Sequence, residues 1–394
     1  MISELKYTIP FDKISDKIIH KKAKLQDHEY WVINYDVNYT CDDDLVTGLY
    51  RSVIYDSTEK LLAFSTPKSM VYETFKQKYI TNTENSDPLF INEIVEGTMI
   101  QLFYDVNHGI WEIATKGAVG ANYWYYRNQY MLDQSAKQPT FRQMFLESLS
   151  ISDFTSVFET FNKSWSYTFV LQHPANHIVL NIQKPKLYLV SVYEICRDTS
   201  EVRFVSPLEY EPIVTFNEFS ILFPTRFVNE NVENLVKEHC SIHSSNLNVV
   251  GLMFTNLKTG ERSALENPNY VQLRELRGNN PNLQYQYLCL KSMGKVDDFL
   301  KAFPQYKEIF WKFYMNYSDF VTNLHQSYLD YYIKKLGIKI SKQYFPLIYK
   351  MHREVYLPSL STEIKIIIKR GIVQEYVKKI PPGELIYYLN YVKE

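Results

Sequence analysis

The spacing of apolar residues changes once along this chain, and that change restricts the fold more than any other feature. Up to about residue 290 the sequence consists of short apolar and aromatic runs separated by Gly, Pro, Asn and Asp, which is typical of strands and turns. Beyond 291 glycine is rare and apolar residues recur at helical spacing. The pattern predicts an α+β core over 46–290, followed by an all-α domain over 291–394. We expect 1–45 to be an N-terminal segment packed on the core.

Individual elements can be assigned from the same periodicity. The chain opens with a polar, helix-like pattern within 1–45, before an apolar run begins near Tyr30. An aromatic ladder over 299–332 predicts helix, in which the rings form a core or a partner groove. The expected strands are 30–37, 52–55, 99–104, 168–171, 177–182, 187–192, 249–255 and 284–290, and the further expected helices are 140–150, 229–240, 342–357 and 361–380.

Composition excludes several classes of protein. A hydrophobic share of 45% and an aromatic share of 15% argue for a folded, globular chain. The four cysteines, Cys41, Cys196, Cys240 and Cys289, form no CxxC pair and are expected to be reduced thiols. No apolar run approaches the length of a membrane span, and the N-terminus does not resemble a signal peptide. We therefore expect a cytoplasmic protein with no membrane partner.

Charge is distributed unevenly along the chain. Residues 291–394 contain 17 Lys and Arg against 10 Asp and Glu, a net charge of +7, whereas 1–290 carry −8. A positively charged surface is what a protein needs to bind nucleic acid. The candidate RNA-binding residues are therefore in the C-terminal region, on an exposed basic surface, with a solvated helical face as the plainer interpretation. They are Lys334, Lys335, Lys339 and Lys342.

Four short blocks between about 50 and 270 carry a resemblance to a known family. They are Ile94-Val-Glu-Gly-Thr98, Thr168-Phe-Val-Leu-Gln-His-Pro-Ala-Asn-His-Ile-Val-Leu180, Val249-Val-Gly-Leu-Met-Phe254 and Ala264-Leu-Glu-Asn-Pro-Asn-Tyr270. In this order they resemble the covalent nucleotidyltransferases, the fold of ATP-dependent ligases and capping enzymes, and in particular the bacteriophage tRNA-repair type of RNA ligase. The helical C-terminal region resembles the appendage behind that ligase core. The abundance of Asn, Ile, Lys and Tyr suits an AT-rich coding sequence, as in a large DNA virus.

The resemblance implies a scaffold that has lost its reaction. In the family a lysine of the first block takes AMP or GMP onto its side chain, carboxylates hold the metal and the ribose, and further lysines neutralise phosphate. Every one of these charged positions carries another residue, although Gly97, Asn176, Gly251 and Pro268 remain. We predict that the replaced side chains pack the former pocket shut, and that the protein has no catalytic residue, cofactor or metal there. The five replaced positions are Ile94, Val170, Val250, Ala264 and Glu266.

The alternative is an active ATP-dependent ligase that uses a relocated lysine, with ATP and Mg²⁺ as cofactors. Lys68 matches a lysine that the phage-type ligase carries ahead of its nucleophile, and its plain interpretation is a surface residue at a proline turn. Lys116 could contact RNA phosphate or a nucleotide, or simply end a strand at a Gly turn. A zinc site formed by His239, Cys240 and His243 lacks a fourth ligand, so we predict no metal site.

The sequence thus leads to one preferred function and two alternatives. The preferred function is a catalytically inactive RNA ligase-like protein that binds RNA or a protein partner, in the host cytoplasm or in a virion. The first alternative is the active ligase with a relocated lysine. The second is a purely structural protein that retains only the fold.

Overall fold

The protein is seen here in a computed structural model. It describes residues 6–11, 15–38, 44–82, 87–125, 138–154, 158–176, 178–215, 220–228, 231–244, 249–363 and 365–391. Its contacts divide the chain into two compact units, one formed by 1–125 with 137–275 and the other containing 276–394. The predicted boundary between 290 and 291 falls inside a helix of the second unit.

The first unit contains three β-sheets. Neighbouring strands are antiparallel, except where β11 pairs with β13. The strands are β1 (Lys6–Thr8), β2 (Ile18–Leu25), β3 (His28–Tyr35), β4 (Val53–Asp56), β5 (Leu61–Phe64), β6 (Leu89–Glu93), β7 (Thr98–Asp105), β8 (Ile110–Thr115), β9 (Ala118–Val119), β10 (Trp165–Gln172), β11 (Lys186–Cys196), β12 (Glu201–Val205), β13 (Ile221–Leu222), β14 (Gly251–Asn256) and β15 (Arg262–Glu266).

Strand order places several of the sequence blocks beside one another. The large sheet has the order β1-β12-β11-β10-β7-β8-β9, with β13 beside β11. A three-stranded sheet has the order β15-β14-β6, and a four-stranded sheet has the order β2-β3-β4-β5. Since β2 and β3 pair with β4 and β5, and β1 pairs with β12, the N-terminal segment contributes strands to the sheets of this unit.

A hydrophobic core covers one face of the large sheet. Phe145 of helix α3 (Phe141–Leu149) packs with Phe169 of β10 and Ile100 of β7, all fully buried. Thr140 is the N-cap of α3, and its hydroxyl and the side chain of Gln143 accept hydrogen bonds from each other's backbone amides. The other helices of this unit are α1 (Leu45–Gly48), α2 (Tyr72–Tyr79), α4 (Pro207–Thr215), α5 (Val232–His239) and α6 (Pro268–Arg277), of which the last runs past the boundary after Glu275.

The second unit is helical throughout its described residues. Its longest helix buries a stripe that includes Phe310, Tyr317 and Leu324, at the spacing that the aromatic ladder predicts. The helices are α7 (Leu283–Ser292), α8 (Val296–Ala302), α9 (Lys307–Tyr328), α10 (Phe345–Met351), α11 (Leu357–Ser359), α12 (Arg370–Lys378) and α13 (Pro382–Leu389). A 3₁₀ turn (Pro304–Tyr306) precedes α9, and π-helical turns follow α9 (Leu329–Ile333) and α10 (His352–Tyr356).

The α+β class with a helical C-terminal region is confirmed, and most expected strands are found. Three element predictions are wrong. Residues 284–290 form helix α7 rather than a strand, because Asn282 caps the helix and consecutive residues Gln286, Tyr287 and Leu288 are all buried, which an alternating strand would not allow. Strand β2 occupies part of the opening that looked helical. Of 177–182, residues 178–182 form no strand, and His177 lies outside the described residues. The expected helix over 361–380 begins only at Arg370.

Candidate functional site

A cavity of about 270 Å³ lies between the large sheet and the three-stranded sheet of the first unit. Three of the replaced positions line it: Ile94 after β6, Val170 on β10 and Ala264 on β15. The prediction that the replaced side chains pack this space shut is therefore wrong. The apolar replacements include one as small as Ala264, which cannot fill the volume of a lysine chain.

The other two replaced positions lie away from this cavity. Val250 is buried, and its carbonyl accepts a hydrogen bond from the Asn267 backbone amide at 2.8 Å. Glu266 pairs with Arg274 of α6 through two hydrogen bonds, one of them 2.7 Å from Nη2 to Oε2. This contact raises the pKa of the Arg274 guanidinium above its ordinary value. The charge reversal at 266 is thus neutralised inside the protein.

The retained glycines are required by close approach of strands. A Cβ on Gly97 would lie 2.5 Å from the Leu171 carbonyl oxygen, so only glycine lets β7 start beside β10. A Cβ on Gly251 would lie 2.5 Å from the Leu265 carbonyl oxygen. The Ile94 backbone amide donates to the carbonyl of Gly251 at 2.8 Å, which fixes the end of β6 against β14.

Glu96, the acidic residue of the first block, has a structural role. Its buried carboxylate accepts hydrogen bonds from the backbone amides of Ile178, Val179 and Leu180, at distances of 3.1 to 3.3 Å. The second block is thereby anchored to the first. Burial and the nearby charge of Glu96 raise the pKa of Tyr270 in the fourth block.

Two arginines that the sequence analysis did not single out, Arg51 and Arg262, also line the cavity. Arg262 donates from Nη2 to the Pro67 carbonyl at 3.1 Å, but its Nε is shielded from solvent and has no hydrogen-bond partner among the described residues. Within the same described ranges, the Arg51 guanidinium forms no hydrogen bond or ion pair. Thr168 Oγ1, on the cavity wall, is likewise shielded and unpartnered there.

The positive charges of the Arg51 and Arg262 guanidinium groups are both unfavourable in their surroundings. Burial lowers the pKa of both, and the charge of Arg51 contributes to lowering the pKa of Arg262 to about 9. Two features of the sequence could have indicated that these arginines lie near the replaced positions. Arg262 lies two residues before Ala264 on the same strand and so faces the same side. Arg51 stands just ahead of the apolar run that became β4.

The fallback lysines lie outside this cavity, whose described lining includes no lysine. Lys68 lines a second cavity of about 210 Å³, which Arg262 also borders. Lys116 is half-buried with Nζ 4.7 Å from the Tyr35 ring centroid, and burial together with the charge of Arg51 lowers its pKa. A lowered pKa is what a nucleophilic lysine needs.

The lining does not fit metal-assisted nucleotidyl transfer. Its carboxylates are Glu93 and Glu211. Glu93 already accepts two hydrogen bonds of 2.8 Å from the backbone and hydroxyl of Thr225. Burial raises the pKa of Glu211, which disfavours the charged form that a hard cation requires. We therefore assign no step to ATP or to Mg²⁺.

Elsewhere, the described residues contain one cluster with three potential ligands, His28, Asp105 and His108. The two imidazole rings are stacked with centroids 3.3 Å apart, and the potential ligand atoms of the three residues lie within 4.8 Å of one another. Asp105 accepts hydrogen bonds from Tyr30 and His108. Cys196, Cys240 and Cys289 are free thiols, and Cys41 lies outside the described residues.

The four candidate RNA-binding lysines are all exposed. Lys334 pairs with Asp330 at 2.9 Å, and no described ion pair involves the other three. They do not share a helical face, because the chain leaves the helix after Ile333 through positive φ angles at Lys335 and Gly337.

The chain is similar in sequence to two viral proteins. No family model matches the chain. It is 23% identical to the RNA ligase of Rhodothermus phage RM378 over 281 residues, which cover 66% of this chain and 61% of that protein. It is 22% identical to the immediate-early protein ICP-46 homolog of Invertebrate iridescent virus 6 over 304 residues, covering 72% and 63%. The chain is RNA ligase-like, and both of these relatives are viral. The matches span about three fifths of those relatives.

Solved structures give more distant similarity. A proposed ATP-dependent DNA ligase of Aquifex aeolicus has a TM-score of 0.42 at 12% identity, covering 75% of this chain and 77% of that one. A mutant of Naegleria gruberi RNA ligase with ATP and Mn has a TM-score of 0.38 at 12% identity, covering 68% and 85%. Among the described residues, no helix is long and apolar enough to cross a membrane.

Proposed function

We propose that this RNA ligase-like protein is a catalytically inactive RNA-binding protein that holds the phosphate at an RNA end. One observation carries the proposal: its cavity contains two arginines, Arg51 and Arg262, and no lysine among the described lining residues. The cavity can attract a phosphate, but its described lining offers no lysine to receive AMP. Neither ATP nor a metal is required for this activity.

Phosphate is the ligand that the charges favour. A buried guanidinium without a counter-charge costs several kcal/mol, so an anion entering the cavity would be strongly stabilised. Guanidinium groups present a planar fork of donors that matches phosphate oxygens. The net charge of −8 over 1–290 is an average that does not describe this cavity, where Glu93 already accepts hydrogen bonds from Thr225 and burial disfavours the charged form of Glu211.

Fluorescence anisotropy with two short single-stranded RNAs tests this proposal. One carries a 5′-phosphate and the other, of the same sequence, a 5′-hydroxyl. The full chain should bind the phosphorylated RNA about tenfold more tightly, since one charge-assisted contact contributes about 1.5–3 kcal/mol. Arg262→Met should abolish the preference. Equal binding of both RNAs by the wild-type protein would contradict the proposal, and a 3′-phosphate should be compared in the same way.

A matched control is available in the same unit. Arg197 is half-buried outside the cavity and donates to the Tyr104 carbonyl at 2.7 Å. Arg197→Met removes a comparable side chain and should leave the preference for phosphate unchanged. Loss of preference in both variants would indicate a general folding defect instead of a phosphate site.

The enzyme alternative has one observation in its favour, the lowered pKa of Lys116. Incubation with radiolabelled ATP or GTP and Mg²⁺, followed by denaturation, distinguishes the two functions. Our proposal expects no label on the protein. A label that persists through denaturation and disappears in Lys116→Arg would establish a relocated nucleophile. A label lost in Lys68→Arg would assign that role to the other lysine.

The partner and the compartment are proposals of the same kind. The free thiols suit a reducing compartment, and with viral relatives the host cytoplasm or a virion is the place we propose. A protein partner or a structural role becomes the preferred interpretation if no RNA binds at ~50 mM salt, where phosphate contacts are strong.

A further inference from the structure

Helices α7, α8 and α9 of the second unit enclose a groove of about 900 Å³. Tyr287 and Lys291 of α7 form one side, Leu300 comes from α8, and Trp311 and Tyr314 of α9 form the other side. None of these residues belongs to the cavity of the first unit. The groove is therefore a separate candidate binding surface.

The α9 side of the groove presents aromatic rings to solvent. Trp311 is 62% exposed and Tyr314 is 43% exposed. Their rings stack with centroids 5.3 Å apart and an interplanar angle of 28°, as the spacing of three residues on a helix allows. Phe310 and Phe313 of the same helix are buried, so the core of the unit does not need the exposed pair. Exposed rings held on a rigid helix can stack against planar ligands.

The charges of the groove favour an anion. Lys291, Lys307 and Lys312 line it, against the carboxylates of Asp297 and Glu308. The two carboxylates lie in the first turns of α8 and α9, where they offset the positive ends of those helices. Among the described residues no ion pair neutralises any of the three lysines.

Of these three lysines, Lys291 is in the closest described contact with an aromatic ring. It is half-buried, and its Nζ lies 4.5 Å from the ring centroid of Tyr317, whose hydroxyl is buried without a described partner. Burial, and then the charge of Lys378, lower the pKa of Lys291. A phosphate near the base of the groove would compensate this charge.

We propose that this groove binds a single-stranded segment of RNA, with bases stacked on Trp311 and Tyr314 and phosphates beside Lys307 and Lys312. The proposal rests on the proposed function, because it takes RNA as the ligand and adds a second contact far along the sequence from Arg262. Single strands fit because their bases are free to stack on a protein ring, whereas duplex bases are not. Base stacking accounts for the exposed rings, and phosphate binding accounts for neighbouring lysines that no described ion pair neutralises.

Binding of a fluorescein-labelled oligouridine to the full chain tests the groove. Trp311→Ala should weaken binding by about tenfold, the usual effect of removing one stacked ring. Lys312→Gln should weaken it less and reduce the dependence on salt. The controls are Tyr387→Ala, which removes a ring 64% exposed on α13, and Lys365→Gln, an exposed lysine outside the groove; neither should change affinity. Circular dichroism should show that all four variants remain folded.

Tryptophan emission provides a second readout. RNA should quench the emission of the wild-type protein, and Trp311→Phe should keep most of the affinity while losing most of the quenching. If Trp311→Ala binds oligouridine as tightly as the wild type, the groove proposal is overturned, while a preference for 5′-phosphate that depends on Arg262 would still support the proposed function. If the wild type binds no RNA at ~50 mM salt, both are overturned and a protein partner becomes the candidate occupant.

Discussion

The carboxylate of Glu266 and the guanidinium of Arg274 form a two-point ion pair between β15 and α6, with Nη2 donating to Oε2 at 2.7 Å. The guanidinium also lies 5.5 Å from the ring centroid of Tyr270. The resemblance to RNA ligases places a lysine at position 266. In this protein Glu266 links α6 to the three-stranded sheet instead. A residue expected to neutralise phosphate is thus replaced by one with a structural function.

The first prediction follows from this pair. Glu266→Lys should destabilise the protein by about 1 kcal/mol, because it replaces a partly exposed attraction with a repulsion of similar size. Thermal denaturation measures the change. Glu275→Lys, at an exposed position of the same helix, is the control and should cost little. A Glu266→Lys protein as stable as the wild type would mean that the ion pair contributes nothing to folding.

The second prediction concerns the missing nucleophile. Ile94→Lys should not restore nucleotidyl transfer, because Val170 and Ala264 still line the cavity and Glu266 remains paired with Arg274. Incubation with radiolabelled ATP and Mg²⁺ should leave the variant unlabelled. Titration calorimetry should likewise show no micromolar affinity of the wild-type protein for ATP or GTP. A labelled Ile94→Lys protein would show that one residue separates this chain from an active enzyme.

Part of this cavity could be predicted from the sequence, whereas its two arginines were not predicted. Ile94, Val170 and Ala264 were found because each lies in a short block with a retained family residue, Gly97, Asn176 and Pro268 respectively, that can be recognised locally. Arg51 and Arg262 were not found, because they are far apart along the chain and their proximity depends on how the sheets pack. Helix α9 was predictable from its buried stripe, whereas α7 alternates like a strand and becomes helical through its cap and its packing.

The third prediction uses the depressed pKa of Arg262. Its protonated form binds anions, so affinity for 5′-phosphorylated RNA should fall as the pH rises from about 8 to 10, through the pKa of about 9. The bound anion raises the pKa of Arg262 in the complex, so the loss of affinity begins near the pKa of the free protein and continues to higher pH. Anisotropy at constant ionic strength measures the effect, with 5′-hydroxyl RNA as the reference. A preference for phosphate that stays unchanged at the alkaline end of this range would assign binding to another group.

The fourth prediction concerns stability without RNA. Arg262→Met should stabilise the protein by about 1 kcal/mol in a buffer free of phosphate, because it removes a buried charge that lacks a counter-ion. Inorganic phosphate should then raise the melting temperature of the wild-type protein but not that of the variant, since only a bound ligand stabilises the folded state in this way. If phosphate stabilises both proteins equally, the effect is a general salt effect and the arginine pair is not the site.

The last prediction concerns the exposed lysines after α9. Replacing Lys334, Lys335, Lys339 and Lys342 with glutamine should weaken RNA binding if this surface contacts the backbone, and each lost phosphate contact should reduce the log–log salt slope by about 0.7 for a single strand. Lys334 is already paired with Asp330, so the other three should account for most of the loss, a change in slope of about 2. Lys116→Ala is the control, because that lysine is half-buried beside Tyr35 and should affect affinity little. An unchanged slope in the fourfold variant would assign the phosphate contacts to the groove of α7, α8 and α9 and to the arginine cavity, whereas a large loss from Lys116→Ala would return that lysine to the site.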